Sequence, residues 1–558
     1  MSWNKKDLLF APLGGSGEIG MNANLYHYDG VWMMVDLGIN FPDDSMPGID
    51  VVLPDLTFLD DKTANLAGLV ITHGHEDHLG AVPYLWRKLR CPVYGTAFTL
   101  SLLRQKLIEH GLEDDIPLKV IDYNRPLSIG PFTVEMIALT HSIPDPAGLI
   151  IQAGGEQVFH TGDWKFDPDP QLGPISDMDR LKTLGDSGIL AMIGDSTNAL
   201  VEGSTESEET ARQGLIDTIS QQKGRVAVTC FASNVARLNS LVEAARETGR
   251  SPMLVGRALN RVVEAARHCG YLKDWPDMLS MDDFSLIPKE NILLICSGSQ
   301  GEPRSAMTRI AMGTHHLISL EEGDSVLFSS REIPGNEAAI GKVQDNLIMR
   351  GIKVITADDA PIHVSGHPAR DDMTAMYQMI RPNIAIPVHG TSRHVRAHAL
   401  LAKDCQVPQV HIPENGQVIR LSPGPISVVG GAETGLMTIE GGDIIPLHGA
   451  AMQSRRKMMW NGTVTASLVL SERGELCASP MVTQNGIVDG DKASSYLAEA
   501  MLLIEDAFDN LSKSSRFDDR KVEDMVAKAL RSLSKTMADR RPVIQVHILR
   551  VAALDAGE

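Results

Sequence analysis

At 558 residues with 43% hydrophobic content, mixed charge and no low-complexity tract, the chain is too long for one core and too ordinary in composition to be fibrous or disordered, so two or three globular domains are expected. Its formal charge of −20 excludes generic polyanion binding, which sums over many basic side chains. The absence of an apolar run of membrane-spanning length, of an apolar N-terminal signal core and of any C-x-x-C pair among six cysteines predicts a cytoplasmic protein with reduced thiols and no membrane partner.

Along the first half of the chain one pattern recurs: a short continuous apolar run ends abruptly in His or Asp beside Gly, Thr or Ser. The instances are residues 31–35 before Asp36, 69–72 before His73, 134–140 before His141, 157–159 leading to Asp163 and 191–193 before Asp195. One more comes later, residues 384–388 before His389. Runs of this length without alternation suit strands buried on both faces, which predicts an α/β sandwich with a site at the strand ends. Between the Asp195 and His389 elements, helical patterns at 206–222, 234–248 and 259–268 alternate with apolar runs at 226–229, 253–255, 292–296 and 326–329. That alternation predicts parallel βαβ units and hence a separate α/β domain inserted into the first. From about residue 450 the pattern changes to strands at 463–470, 487–489 and 543–551 with amphipathic helices at 493–511 and 520–536. The expected division is 1–205, 206–355, 356–447 and 448–558, the third segment returning to the first domain and the last being a packing or oligomerisation domain.

The densest chemistry lies in His73-Gly74-His75-Glu76-Asp77-His78. Alternation along an extended segment would put His73, His75 and Asp77 on one side, with a turn swinging His78 back beside Asp77. Imidazole suits zinc, and a carboxylate can bridge or complete a second site, so this cluster supplies about half the ligands of a binuclear centre. His141, before Ser142-Ile143-Pro144, and Asp163, at a Gly turn, extend the set. Asp36 is a candidate to hold a ligand or water by hydrogen bond. The pairs His315-His316 and His394/His398 read as solvated or packing residues, and the methionines from Met437 to Met459 as core or interface. A nucleic-acid substrate would need a local basic groove, for which Arg225, Arg237, Arg257, Arg261, Arg304, Arg309 and Arg331 are candidates.

His73-x-His75-x-Asp77-His78, with Asp36, His141 and Asp163 in that order, resembles the metallo-β-lactamase superfamily. Asp195 in Gly-Asp-Ser-Thr-Asn-Ala, His367 in His363-Val364-Ser365-Gly366-His367 and His389 in Pro-Val-His-Gly look like motifs A, B and C of its nucleic-acid-processing β-CASP group. Phe231-Ala-Ser233-Asn234, Ser297-Gly-Ser299-Gln-Gly301 and residues 329–337 make the ribonuclease J family the nearest likeness, over essentially the whole chain.

The resemblance implies an αββα sandwich carrying an inserted β-CASP domain and a small C-terminal α/β domain. It implies two zinc ions, with manganese or magnesium as alternatives, one on His73, His75 and His141, the other on Asp77, His78 and His389, and Asp163 bridging. His367 is the implied proton donor to the leaving ribose oxygen, with Asp195 supporting His367 or a metal. Ser233, Asn234, His363, Val364, Ser365, Gly366 and His367 would hold RNA and a terminal phosphate through hydroxyl, amide and backbone donors. The implied activity is cleavage of single-stranded, 5′-monophosphorylated RNA, 5′-to-3′ from the end and also internally, by a homodimer or homotetramer with possible RNA-degradation partners. One neighbour departs from the family pattern: Thr391 comes after His389-Gly390 where Glu is expected, which puts in question what supports His389. Two rivals are a small-molecule hydrolase of the same superfamily, for an ester, thioester or lactam, and a catalytically silent RNA-binding scaffold. The inserted domain and His367 argue against the first, and the intact ligand set against the second.

Overall fold

The computed structural model describes residues 3–43, 45–60, 62, 65–333 and 335–552. The chain divides into two compact units, Met1–Asn40 with Val52–Leu436, and Phe41–Val51 with Met437–Glu558.

In the first unit two sheets face each other. One has eight strands in the order Ser427–Gly431, Gln417–Ser422, Leu8–Gly14, Ala23–Tyr28, Val31–Val35, Leu66–Val70, Val93–Gly95, Leu118–Val120. The other has seven, ordered Gln409–Val410, Ile384–Val388, Ala191–Asp195, Glu156–His160, Ala147–Ala153, Phe132–Ala138, Leu127–Ile129. Phe10, Tyr26, Met33, Val35 and Val70 of the first sheet meet Val134, Met136, Leu149, Ile151, Ile193 and Ile386 of the second in one buried layer. The outer face of the second sheet is covered by Leu181 and Leu184 of helix Met178–Asp186, Met376 and Ile380 of helix Arg370–Ile380, and Ala402 of helix Ser392–Asp404. This is the αββα sandwich expected.

Register brings the chemistry to one edge. Val35 pairs with Val70 in parallel, so Asp36 and Thr72-His73 leave their strands side by side. Likewise His160 aligns with Ile193 and Asp195 with Val388, which delivers Asp163, Asp195 and His389 from three adjacent parallel strands.

The inserted segment forms a parallel five-stranded sheet, ordered Ser251–Val255, Ile292–Cys296, Val226–Thr229, Ser325–Phe328, Lys353–Ile355. Leu215, Ile219, Leu238, Leu241 and Val263 pack on one face, and Met307, Ile310, Ile340, Val343 and Leu347 on the other. The first of these cores continues into the sandwich through Phe98, Leu102 and Ile143, so apolar packing fixes the two domains together.

Two expectations are corrected. The strand Leu66–Val70 ends before the motif and the chain bends through residues 72–74; Asp77 and His78 lie on a short helix, Glu76–Leu79, with His75 as its N-cap. Residues 487–489 are not a strand. The strand is Met481–Asn485, and Gln484 holds Ile487 and Val488 in a turn, its amide oxygen accepting from Ile487 N and its amide nitrogen donating to Val488 O. In this second unit Thr463–Ser471 pairs antiparallel with Met481–Asn485 and parallel with Val543–Val551. Helices Asp491–Asp509 and Asp519–Ala538 bury Tyr496, Ile504, Val526 and Leu530 against that sheet.

One buried ion pair ties the beginning, middle and end of the insertion. Arg237 is fully buried; its Nε donates to Glu208 Oε1 at 2.5 Å, and its terminal nitrogens reach Ser329 Oγ at 2.6 Å and Ile362 O at 3.2 Å. Removing one partner strands the other's charge. Arg237→Met is therefore expected to destabilise the protein by about 3–5 kcal/mol, while adding Glu208→Leu in the same chain recovers most of the loss. Urea denaturation of the variants checks this; an unchanged midpoint for Arg237→Met contradicts it.

Candidate metal centre

The centre begins with two residues in strained backbone. Asp36 (φ 62°) and His389 (φ 52°) occupy the left-handed region without being glycine, a cost that persists only where surrounding bonds over-determine the turn. Asp36 Oδ1 accepts from Thr72 N at 2.8 Å and its Oδ2 from Thr72 Oγ1 at 2.9 Å. His389 N donates to Gly15 O at 2.7 Å. Gly38 is required by contact: a Cβ there would lie 1.7 Å from Asp77 O.

Most of the buried imidazoles are held from outside by Nδ1, leaving Nε2 to face inward. His78 Nδ1 donates to Asp36 Oδ2 at 2.8 Å, His141 Nδ1 to Gly366 O at 2.6 Å, and His73 Nδ1 lies 3.1 Å from Thr72 Oγ1. His389 Nδ1 lies 3.4 Å from Thr197 Oγ1, a longer contact. These partners set the tautomers, since a ring that donates through Nδ1 carries its lone pair on Nε2. His75 presents Nδ1 instead, 3.0 Å from His73 Nε2 and 3.1 Å from His141 Nε2. His78 and His389 turn their Nε2 atoms to within 3.2 Å of each other, and His389 Nε2 is 3.1 Å from Asp77 Oδ2.

Two four-residue donor sets result, His73/His75/His141/Asp163 and Asp77/His78/Asp163/His389, and a three-residue group, Asp163/Asp195/His367, adjoins them, with all donor atoms of each group within 4.8 Å of one another. Asp163 belongs to all three. Its Oδ2 is 3.3 Å from both His78 Nε2 and His389 Nε2, 3.7 Å from His73 Nε2 and 3.8 Å from His141 Nε2. Its Oδ1 is buried with no hydrogen-bond partner among the described residues, an arrangement that costs free energy unless another group takes up the lone pairs. Ligand separations near 3 Å match those expected around a tetrahedral ion bound at about 2.0–2.2 Å. The donor chemistry and the orphaned carboxylate oxygen both fit a metal.

Burial, reinforced by neighbouring imidazoles, holds His73 and His141 well below the ordinary histidine range. Burial also brings His75 down to about 4, so all three are neutral ligands at neutral pH. For His78 and His389 burial acts in the same direction, but Asp163 and Asp77 outweigh it and hold both well above that range. A metal taking their Nε2 lone pairs would displace protons.

His367 lies beside the centre, not in it. Its Nδ1 donates to Asp195 Oδ2 at 2.8 Å, and burial, which lowers its pKa, is outweighed by that carboxylate, which raises it. Asp195 Oδ1 meanwhile accepts from Thr197 N at 2.8 Å and Thr197 Oγ1 at 2.7 Å, so the carboxylate both caps the turn and holds the imidazole. The carbonyl of His367 is anchored by Asn198 Nδ2 at 3.1 Å and Thr205 Oγ1 at 2.8 Å. Gly366 is needed for closeness, because a Cβ there would meet His141 Cε1 at 2.8 Å.

The residues expected to hold phosphate divide. Ser365 Oγ accepts from Asn198 Nδ2 and from His367 N, leaving its own proton to donate. Asn234 Oδ1 N-caps helix Val235–Glu247 by accepting from Arg237 N at 2.9 Å, and its amide N–H groups remain. Ser233 is half-buried just before this cap, and its carbonyl accepts from Val235 N. His363 is held well below its ordinary range by burial and then by Arg237, Arg331 and Lys165. Val364 buries its side chain and so offers only backbone. Of the arginines expected to supply a basic groove, Arg237 is buried on Glu208, Arg225 pairs with Glu321 and Asp324, and Arg261 with Glu109.

Sequence reasoning missed Asn22, whose Nδ2 donates to Asp77 O at 3.2 Å and lies 3.1 Å from His78 Nε2; nothing in Met-Asn-Ala-Asn marks it. It also missed Thr72, Thr197 and Asn198, although each sits inside or beside a motif that carries a candidate ligand or proton donor. Thr391 caps helix Ser392–Asp404, and Thr197 is the residue that meets His389 Nδ1.

A two-sheet sandwich with this histidine–aspartate centre and an inserted parallel sheet defines a metallo-β-lactamase-type hydrolase bearing a β-CASP insertion. Residues 44–179 match the description "Beta-lactamase superfamily domain", 223–347 "Ribonuclease J, beta-CASP domain", 357–413 "Zn-dependent metallo-hydrolase RNA specificity domain" and 450–551 "Ribonuclease J C-terminal domain". Ribonuclease J of Sinorhizobium meliloti is 39% identical over 551 residues, 98% of each chain. That of Mycolicibacterium smegmatis is 35% identical over 553 residues, 98% of this chain and 97% of the other. The chain belongs to the ribonuclease J family. A crystal structure of a protein of unknown function from Enterococcus faecalis shares the fold at a TM-score of 0.52 and 14% identity, covering 74% of this chain and all (100%) of that one.

If Asp36 orients His78, Asp36→Asn should weaken metal binding about 10- to 100-fold, as loss of a ligand's hydrogen-bond partner does. Competition against a chelating dye measures this, and unchanged affinity contradicts the assignment.

Proposed function

We propose that the protein is a metal-dependent ribonuclease that hydrolyses single-stranded RNA in the 5′-to-3′ direction from 5′-monophosphate ends and also cuts internally. The observation that carries this reading is the Asp163 carboxylate shared between two histidine sets beside the His367–Asp195 pair, in a chain of this family. His73, His75 and His141 would hold one ion and Asp77, His78 and His389 the other, with Asp163 common to both, and zinc suits so imidazole-rich a donor set. Two cations there would activate water for attack at phosphorus and offset charge on both sides of an in-line displacement.

The chain's own groups do the rest. Asp195 Oδ2 accepts a hydrogen bond from His367 Nδ1–H and leaves Nε2 as the other nitrogen; the raised pKa favours a proton on Nε2, the one that the departing ribose oxygen needs. Through Gly366 O the same loop orients His141, so proton donor and ligand shell share one backbone segment. The uncommitted Ser365 hydroxyl, the Asn234 amide and a neutral His363 beside Arg237 and Arg331 make a donor-rich pocket for a terminal phosphate.

Incubating metal-loaded protein with end-labelled RNA tests the reading: mononucleotides should appear from the 5′ end, faster from 5′-monophosphorylated than from triphosphorylated RNA, and Ser365→Ala should narrow that difference. Equal rates contradict the phosphate pocket. Replacing Asp77 and His78 together by alanine should abolish degradation while circular dichroism stays native; retained activity contradicts the centre.

A further inference from the structure

We propose that His398, buried one layer behind the centre, is a positioning residue for the His367 proton donor; this rests on His367 acting as that donor. Three consecutive side chains at the end of strand Ala191–Asp195 each meet a different imidazole: Asp195 meets His367, Ser196 meets His398 and Thr197 meets His389. Ser196 Oγ lies 2.9 Å from His398 Nδ1, and His398 Nε2 lies 2.9 Å from Tyr377 OH, with all three residues buried. A neutral imidazole has one donor and one acceptor nitrogen, and each hydroxyl can supply either complement, so the Ser196–His398–Tyr377 chain is fully satisfied without a charge.

This chain joins the three elements on which the proton donor depends. Ser196 comes directly after the strand that ends in Asp195, Tyr377 lies on helix Arg370–Ile380 just after the His367 loop, and His398 lies on helix Ser392–Asp404. There is no slack around it: a Cβ at Gly194 would meet His398 Cε1 at 3.0 Å, and one at Gly390 would meet Ser196 Cβ at 3.0 Å. Because Asp195 Oδ1 is bonded to Thr197, residues 195–197 move as one turn, and whatever fixes Ser196 fixes the carboxylate oxygen that holds His367. The shorter route runs to His367. Asp195 meets His367 at 2.8 Å, whereas Thr197 Oγ1 lies 3.4 Å from His389 Nδ1 and 3.3 Å from its carbonyl oxygen, and His389 has its own tether to Gly15. An apolar residue would fill the same volume, but it would leave two buried hydroxyls without a partner and the turn free to rotate.

Steady-state kinetics of the metal-loaded full-length protein on 5′-monophosphorylated RNA and on bis(p-nitrophenyl) phosphate, whose phenolate leaves without a proton, separate the routes. His398→Phe should lower kcat on RNA, with KM and metal content unchanged, and reduce the RNA-to-aryl-ester activity ratio about tenfold, a fraction of what general-acid catalysis supplies. His398→Gln, which keeps a donor and an acceptor, should restore most of that ratio. If His398→Phe does not fold, Tyr377→Phe should shift the ratio in the same direction by a smaller factor. Equal loss on both substrates, or no loss on RNA, overturns the proposal. His367→Ala is the reference: if it does not lower the ratio, the proton-donor reading fails, whereas a lowered ratio in His367→Ala with a normal one in His398→Phe overturns the role of His398 alone.

Discussion

Asp163 carries a buried carboxylate whose one oxygen faces the inward nitrogens of His73, His78, His141 and His389 and whose other oxygen meets no hydrogen-bond donor among the described residues. Leaving such an oxygen unsatisfied in a dry interior is costly. The packing of both sheets, the left-handed turns at Asp36 and His389 and the outward hydrogen bonds of the ring Nδ1 atoms all serve to keep those groups pointed at one another. A bound metal would relieve a site so arranged, and the fold accepts backbone strain at Asp36 and His389 to hold it.

The same constraint links the centre to the inserted domain. Gly366 O orients His141 while the adjoining residue, His367, is held by Asp195, and the segment leading to them is pinned at Ile362 by Arg237 of the insertion. A continuous apolar core through Phe98, Leu102 and Ile143 keeps the two domains in register. Geometry at the His367 loop thus depends on residues from both domains.

Much of this was legible from residue order. Continuous apolar runs ending in His or Asp announced buried strands with ligands at their tips, because a strand buried on both faces has nowhere polar to turn except its end. What escaped was whatever depended on a backbone reversal or a long-range contact. Asp77 reads as extended by alternation, with His78 swung back by a turn, but the chain already enters a helix at Glu76, where His75 takes the N-cap and the spacing rule changes from two to 3.6. Asn22 and Gly38 reach Asp77 from far upstream in sequence and carry no local signature. His398 looked like an ordinary helix-face histidine because its partners, Ser196 and Tyr377, lie on other elements. Beside the Thr391 departure, the hydroxyl that lies 3.4 Å from His389 Nδ1 comes from Thr197, just past a neighbouring strand end.

Anomalous diffraction from crystals of the metal-loaded protein measures the central arrangement most directly. Two peaks about 3.5–4 Å apart, one among His73, His75 and His141 and the other among Asp77, His78 and His389, with the Asp163 carboxylate between them, are the expected result. A single ion, or ions bound away from Asp163 with its carboxylate still unengaged, would contradict it.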